Sequence, residues 1–107
     1  MLFGKKNKEE LEEVSKASDR IIMKEMINDD ELARDLVLEI RDGNPVLLNF
    51  EKLEEADGNK HLAFFIGATV ALEGKTVRIS DKIFLFARKE DFLDGSLRKF
   101  IDSIPRG

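Results

Sequence analysis

Residues 61–74, HLAFFIGATVALEG, decide the fold because they read as a helix without a polar side. At about 100° per residue, the apolar side chains of this segment point in nearly every direction. After His61, the only polar positions are Thr69 and Glu73, which share one narrow stripe. A surface helix normally buries one apolar stripe and exposes the rest to water. The segment therefore predicts a helix over about residues 60–73 whose second side needs a cover of its own.

The sequence on either side of this helix predicts the other elements of an α+β domain. Apolar runs bounded by turn residues indicate four strands, at 20–27, 45–51, 75–79 and 82–88. Helical periodicity indicates one helix between the first two strands, at 28–43, and another at 91–105. The resulting order is β-α-β-α-β-β-α. This order is typical of a two-layer sandwich with helices on one face of a mixed four- to five-stranded sheet.

The connections between these elements predict how the strands pair. The first helix carries one apolar stripe, formed by Leu32, Ala33, Leu36, Val37 and Ile40. A strand, such a helix and a second strand at this spacing predict a right-handed βαβ unit with parallel strands. The last two strands are separated only by Ser80 and Asp81, which predicts an antiparallel hairpin.

Turn-forming residues mark the expected helix ends. Gly43 is expected to end the first helix and Gly74 the central one, because glycine adopts the left-handed conformation common after a helix. Asp57 or Asn59 is the expected N-cap of the central helix. Gly95 weakens the helical pattern of the last segment.

The predicted domain has more apolar surface than it can bury. The sheet face away from the helices is expected to carry Ile22, Met26, Leu47 and either Ile83 with Leu85 or Phe84 with Phe86. One side of the central helix is nearly flat, because it consists of Ala63, Gly67, Ala68 and Ala71. Large exposed apolar patches mark interaction surfaces. We therefore predict a homodimer held by the central helix, where these four residues form the self-association surface, by the outer face of the sheet, or by both. Close packing inside the domain, with the last helix wrapped around the sheet, is the alternative.

Length and composition exclude several classes of protein. A chain of 107 residues forms one small domain, here divided into residues 1–18 as an N-terminal tip and linker and residues 19–107 as the core. With 22 acidic and 18 basic residues, the net charge is −4, which argues against a nucleic-acid partner. The absence of cysteine excludes disulfides and zinc–thiolate sites. No apolar run reaches the roughly 20 residues of a membrane span, and no secretory signal is evident. These features predict a cytoplasmic protein.

The sequence contains no catalytic constellation. The single histidine, His61, has no cysteine nearby and is expected to face solvent. Asp29, Asp30 and Glu31 are explained by the preference of helix N-termini for acidic residues rather than by a metal site. The glycines of GATVALEGK (67–75) lack the spacing of a phosphate-binding loop. We therefore predict no enzymatic activity, no metal and no cofactor.

Three segments carry a family resemblance: PVLLNFEKL (45–53), FFIGATVALEG (64–74) and VRISDKIFLFAR (77–88). In this order and spacing they resemble the core of the SepF family of cell-division proteins. The matching positions are Asn49, Phe65, Thr69, Gly74, Ile83, Phe84 and Leu85. The family's Ser-Gly pair is replaced here by Gly67-Ala68. The short N-terminal segment is similar to that of the compact archaeal members rather than that of the bacterial ones.

The resemblance implies a cytoplasmic adaptor that tethers the tubulin-like protein FtsZ to the membrane at the division site. It implies a small α+β homodimer that can polymerise and that binds the C-terminal peptide of FtsZ near the hairpin. The matching residues here are Arg78 and Phe84, with Phe86 two residues further along the same strand face. Two aromatic rings about 7 Å apart can receive alternate side chains of a peptide. Arg78 can pair with a carboxylate.

The same resemblance implies that the N-terminal segment binds the membrane. The first six residues, MLFGKK, provide an apolar pair, Leu2 and Phe3, followed by Lys5 and Lys6. Burial of each apolar side chain contributes about 1.5–3 kcal/mol, and each lysine near anionic lipid about 1 kcal/mol. A small dimeric ligand-sensing regulatory domain is the alternative function. That function requires an apolar pocket with converging polar groups.

Overall fold

The computed structural model describes residues 15–105, which form a four-stranded sheet with helices on both faces. The strands are β1 (Ile22–Glu25), β2 (Val46–Asn49), β3 (Gly74–Arg78) and β4 (Ile83–Arg88). The helices are α1 (Asp30–Arg41), α2 (Glu55–Ala71) and α3 (Ser96–Ser103). Single 3-10 turns occupy Ala17–Arg20 and Lys89–Phe92. The order of strands and α-helices is the predicted β-α-β-α-β-β-α, so the α+β class is confirmed.

The sheet is mixed, with its strands in the order β1-β2-β4-β3. β1 pairs with β2 in parallel, and Ile22 lies opposite Val46. β4 pairs with β2 and with β3 in antiparallel fashion. The pairing confirms the parallel βαβ unit and the antiparallel hairpin. Strand β4 lies between β2 and β3 and is therefore an interior strand.

Two apolar cores lie on opposite faces of the sheet. The larger core lies under α1 and α2 and contains Met26, Ala33, Leu36, Ile40, Val46, Leu48, Phe50, Phe65, Phe84 and Phe86. The smaller core lies under α3 and the first 3-10 turn and contains Ala17, Ile79, Leu85, Ala87, Leu97 and Ile101. The short helix α3 therefore adds a partial third layer to the predicted two-layer arrangement.

The prediction of which β1 residues face away from α1 and α2 was wrong. Ile22 packs against the larger core and Met26 is fully buried in it. The parallel register explains the difference, because it places Met23 opposite Leu47, so these two residues share the other face. Met23 is 61% exposed, since α3 does not extend over this part of the sheet.

Both ends of α2 differ from the predicted ends. α2 begins at Glu55, before both predicted caps, and its first turn carries Glu55 and Asp57, which the helix dipole favours. It ends one turn before β3, and the left-handed position is taken by Glu73, with φ 57°, rather than by Gly74. A Cβ at Gly74 would collide with the carbonyl of Ala87 and lie 2.9 Å from Cγ2 of Thr69. Gly74 is therefore needed for close packing of β3, not for helix termination.

Of the other predicted helix ends, the C-terminal end of α1 is confirmed and the start of the last helix differs. Gly43 follows α1 with φ 99°, as expected of a residue that ends a helix. At its other end, Asp29 caps α1 by accepting a hydrogen bond from the Leu32 N–H at 3.0 Å. The last helix is shorter than predicted, because Gly95 has φ 80° and α3 begins only at Ser96.

The first 3-10 turn is fastened to the core by a buried ion cluster. The carboxylate of Asp91, which is almost fully buried, accepts hydrogen bonds from Arg20 at 3.0 Å and from Arg88 at 3.0 and 3.2 Å. Nε of Arg20 also donates to the carbonyl oxygen of Gly43 at 2.8 Å. Arg20 thus joins the start of the core both to Asp91 and to the end of α1. Charge-assisted hydrogen bonds of this kind are stronger than neutral ones.

Candidate functional site

Helix α2 buries two polar residues of its apolar segment and exposes several of its large apolar residues. Its buried residues are His61, Phe65 and Thr69, spaced four apart along one line. The exposed large apolar residues of the same helix are Phe64, Ile66 and Val70, and Val70 is 68% exposed. This is the reverse of an ordinary surface helix. The second side of α2 has no cover within residues 15–105, and it is the first candidate interaction surface.

The small residues predicted for self-association lie on this surface. Ala63, Gly67 and Ala71 are exposed and follow each other at four-residue intervals, while Ala68 is half-buried. A Cβ added at Gly67 would meet no atom within 4 Å. Nothing in the described part of the chain therefore requires glycine at position 67, although glycine inside a helix costs about 1 kcal/mol relative to alanine.

The expectation that His61 faces solvent was wrong. Its side chain is about 2% exposed, and Nε2 lies 2.9 Å from Oδ1 of Asn28. Because an amide oxygen only accepts hydrogen bonds, Nε2 must carry the hydrogen. Lys60 reaches the same oxygen at 3.3 Å and the carboxylate of Asp30 at 3.2 Å. His61 therefore joins α2 to the loop before α1, which the residue types alone did not reveal.

A groove between α1 and α2 adjoins this histidine. It has a volume of about 320 Å³ and is lined by Asp30, Ala33, Lys60, His61 and Phe64. Phe64 belongs to the exposed side of α2, so the groove continues the apolar surface of that helix. No sequence signal indicates this groove, because the groove depends on how α1 and α2 are spaced on the sheet.

A second groove lies where the β3–β4 turn approaches the start of α2. Its volume is about 60 Å³, and its lining residues are Phe50, Glu55, Gly58, Asn59, Leu62, Asp81, Lys82 and Phe84. The rings of Phe50 and Phe84 pack edge to face with centroids 5.9 Å apart. The groove thus combines an apolar floor with charged residues of both signs at its rim.

The structure brings two of the three predicted peptide-binding residues together. The guanidinium carbon of Arg78 lies 5.9 Å from the ring centroid of Phe84, and the side chain pairs with Asp81 at 2.9 Å. Both contacts place Arg78 at the rim of the second groove. Phe86 is fully buried, and its ring stacks beneath Phe84 with centroids 6.3 Å apart. Phe86 supports Phe84 from below and has no exposed surface of its own.

The residues predicted to bind the membrane, Leu2, Phe3, Lys5 and Lys6, lie outside residues 15–105. Within that range, no group of three or more histidine, aspartate or glutamate side chains is placed to hold a metal ion. No helix of the described part is long and apolar enough to cross a membrane.

Comparison with known proteins finds relatives of this sequence. The family model described as Cell division protein SepF matches residues 21–90. The Cell division protein SepF of Carboxydothermus hydrogenoformans is 33% identical over 63 residues, which cover 59% of this chain and 46% of that protein. The protein of the same name from Lactobacillus helveticus is 30% identical over 70 residues, which cover 65% and 48% respectively.

A third relative of the same name, from Saccharopolyspora erythraea, is 33% identical over 55 residues, which cover 51% of this chain and 26% of that protein. The chain spans about half the length, or less, of the curated relatives it matches. The family match extends from just before β1 to the second 3-10 turn, so both grooves and the whole of α2 lie inside it. The relatives are named for cell division and not for an enzyme.

Proposed function

The chain belongs to the SepF family of cell-division proteins, and from this premise we propose that it is an adaptor that tethers FtsZ filaments to the cytoplasmic membrane at the division site. The adaptor needs three surfaces: one for a second copy, one for the C-terminal peptide of FtsZ and one for lipid. We assign these surfaces to the exposed side of α2, to the groove beside Arg78 and to the N-terminal tip.

The observation that carries the proposal is the groove beside Arg78. An extended peptide needs an apolar recess for a side chain and a charged group for its backbone or a carboxylate. The floor formed by Phe50, Leu62 and Phe84 supplies the recess. Arg78 supplies a donor that is always charged, and its present ion pair with Asp81 is largely exposed, so a peptide displaces it at little cost.

Calorimetry with the C-terminal peptide of FtsZ from the same organism tests this assignment. Arg78→Glu reverses the charge at the rim and is expected to weaken binding at least about ten-fold, or about 1.4 kcal/mol. Arg34→Glu, an exposed position on α1 with a long 4.0 Å ion pair, is the matched control and should bind as the unmodified protein does. Thermal melts of both variants should agree. Equal affinity in the two variants would remove Arg78 from the site.

The same titration separates the adaptor from a ligand-sensing regulatory domain. An adaptor binds the peptide in a single-site isotherm and a ligand-sensing domain does not. Absence of heat and of any pull-down with the unmodified protein would therefore contradict the FtsZ assignment.

Self-association is proposed to bury the exposed side of α2 against a second copy. Close approach of two backbones is favoured where Ala63, Gly67 and Ala71 leave the helix flat, and the neighbouring Phe64, Ile66 and Val70 supply apolar area. Gly67→Ala provides the test, because open space surrounds this position in one copy. We expect it to stabilise the dissociated protein by about 0.5–1 kcal/mol and to weaken the dimer, measured by sedimentation equilibrium. Stabilisation with an unchanged dimer would show that the helices do not meet at Gly67.

The membrane-binding surface is proposed to be the segment of residues 2–6. A single such tip binds weakly, but two tips on one dimer act together through their effective concentration. Deletion of residues 1–6 should abolish sedimentation with anionic vesicles while the dimer and the melting temperature stay unchanged. A truncated protein that sediments like the full chain would place the membrane contact elsewhere.

A further inference from the structure

The segment between the second 3-10 turn and α3 carries a strongly exposed apolar side chain. Leu93 connects the second 3-10 turn to α3, and its side chain is 81% exposed, the most of the large hydrophobic residues in the described part of the chain. Isolated exposed leucines are common and need no explanation. The neighbouring residues distinguish Leu93 from such a case. They hold the start of the core beside Leu93, and they determine which charged groups face outward at this corner of the domain.

The residue after Leu93 fastens the start of the core. The carboxylate of Asp94 accepts hydrogen bonds from the Ser96 N–H at 2.8 Å and from the Ala17 N–H at 3.0 Å. A third bond comes from the Ser96 hydroxyl at 2.8 Å. These bonds, that of the Ser96 N–H most of all, lower the pKa of Asp94 below its usual value. The chain therefore enters the core next to Leu93.

The charged groups of this corner favour an anionic surface. The ammonium nitrogen of Lys75 lies 5.6 Å from the ring centroid of Phe92. Lys89 begins the 3-10 turn that ends at Phe92. The backbone N–H of Lys99 donates a hydrogen bond to the backbone carbonyl oxygen of Gly95. All three lysines are exposed, and none has a carboxylate partner within 4.0 Å among residues 15–105.

The acidic residues of the corner are outnumbered by its basic ones. Asp91 and Glu90 are offset by Arg20 and Arg88, which pair with them. Asp94 keeps its negative charge, because the groups that donate hydrogen bonds to it are neutral. Against this single carboxylate stand the three ammonium groups, each of which contributes about 1 kcal/mol near anionic lipid, so the corner retains an excess of positive charge.

We propose that this Leu93 corner, formed by residues 89–95 with Lys75 and Lys99, is a second membrane contact, in which Leu93 enters an anionic lipid surface and the three lysines meet the headgroups. The inference rests on the proposed membrane binding of residues 1–6. Between Lys6 and Ser15 lie only eight residues, and a step to the next residue spans at most about 3.6 Å. A membrane-bound tip therefore keeps the corner within roughly 30 Å of the lipid, and the second contact forms at a high effective concentration.

Tryptophan substitution gives a direct test, because the chain has no tryptophan and no tyrosine. Leu93→Trp introduces a single indole at the corner. Met23→Trp is the matched control. Met23 is also exposed, but it lies on β1, the edge strand on the other side of the sheet from β3, which carries Lys75. With vesicles of phosphatidylcholine and phosphatidylglycerol, we expect a blue shift of the emission and quenching by brominated lipid for Leu93→Trp only.

Charge substitution measures the strength of the contact. Leu93→Glu should lower the partition coefficient on the same vesicles by about ten-fold, the lower end of the effect of one buried leucine, and Met23→Glu should leave it unchanged. An unshifted Leu93→Trp spectrum in a protein that sediments with vesicles would overturn the corner and leave the N-terminal tip intact. A loss of dimer in Leu93→Glu, seen by light scattering, would make Leu93 a protein contact and also overturn it. If the full-length protein does not sediment at all, both membrane assignments fail.

Discussion

Helices α1 and α2 pack on the same face of the same sheet, yet they present opposite surfaces to the outside. α1 buries Ala33, Leu36 and Ile40 and exposes charged residues that include Glu31 and Arg34. α2 buries a line that includes His61 and Thr69 and exposes Phe64, Ile66 and Val70.

The two helices differ in what their outward sides expose to water. The outward side of α1 is suited to water, as in any amphipathic surface helix. The outward side of α2 has the apolar composition of a protein core. Its buried side contacts the core chiefly through one aromatic residue. The ring of Phe65 packs against Phe86 at 5.3 Å and Phe50 at 6.4 Å between centroids. Phe65, with the partly buried Leu62 and Leu72, attaches α2 to the core, while Phe64, Ile66 and Val70 remain exposed.

The largest expected effect separates two neighbouring phenylalanines of α2. Phe65→Ala should lower the free energy of unfolding by about 3–5 kcal/mol, because it empties a fully buried site. Phe64→Ala, at a position 44% exposed, should change the unfolding of the dissociated protein by less than about 1 kcal/mol and should weaken the dimer. Chemical denaturation at low protein concentration measures the first and sedimentation the second. Similar losses of stability in both variants would contradict the outward orientation of Phe64.

A second comparison concerns how each helix is held at its start. Asn28→Ala removes the acceptor for the buried His61 and should cost about 1–3 kcal/mol, the penalty of an unsatisfied buried donor. Asp29→Ala removes the cap of α1 and should cost about 0.5–2 kcal/mol. Amide hydrogen exchange should show α2 loosened by the first change and the first turn of α1 by the second. Exchange that increases only in α1 for both variants would contradict the role of His61.

The third comparison places the same charge on the outer side of each helix. Val70→Glu should weaken dimerisation at least about ten-fold, or about 1.4 kcal/mol, because it puts a carboxylate into an apolar interface. Leu38→Glu on α1, at a position 39% exposed, should leave the dimer unchanged. Sedimentation equilibrium measures the dimer dissociation constant of both variants. An equal effect of both variants would mean that the outer side of α1 also lies in the interface.

The smallest effect concerns the helix ends. The residue with left-handed backbone after α1 is a glycine, Gly43, whereas the one after α2 is Glu73. Glu73→Gly should raise the free energy of unfolding by about 0.5–1 kcal/mol by relieving this conformation. Gly43→Ala should lower it by about 1 kcal/mol or more, since a Cβ there would also lie 2.9 Å from the guanidinium of Arg88. A thermal melt that falls for Glu73→Gly would show that the carboxylate has a contact that matters more than the backbone.

The order and pairing of the elements could be predicted because they follow from local signals. The apolar stripe of α1 predicted its buried side, and the two-residue link at 80–81 predicted the hairpin. The positions of Ile22 and Met26 could not be predicted, because a register difference of one residue moves a strand residue to the other face. The role of Gly74 was missed for a similar reason, since the collision it avoids is with β4.

The candidate site could be predicted only in part. Arg78 and Phe84 were singled out from a resemblance, and they do lie together at one groove. Phe86 shares their sheet face, but alternation along a strand does not tell which end of that face the helices cover, and α2 covers Phe86. The burial of His61 depends on a contact with Asn28, 33 residues earlier in the chain, and helical periodicity carries no information on such a pair.

The Arg20–Asp91–Arg88 cluster gives the domain a defined mechanical connection to whatever its N-terminal segment holds. A pull on the chain before Ser15 reaches the bonds of Ala17 and Arg20 before it reaches β1, because these residues come first along the chain. Arg20 passes the load to Gly43 and Asp91, and Asp91 passes it to Arg88 at the end of the central strand β4. Tension therefore enters the middle of the sheet and bypasses its outermost strand, which would otherwise peel away one hydrogen bond at a time.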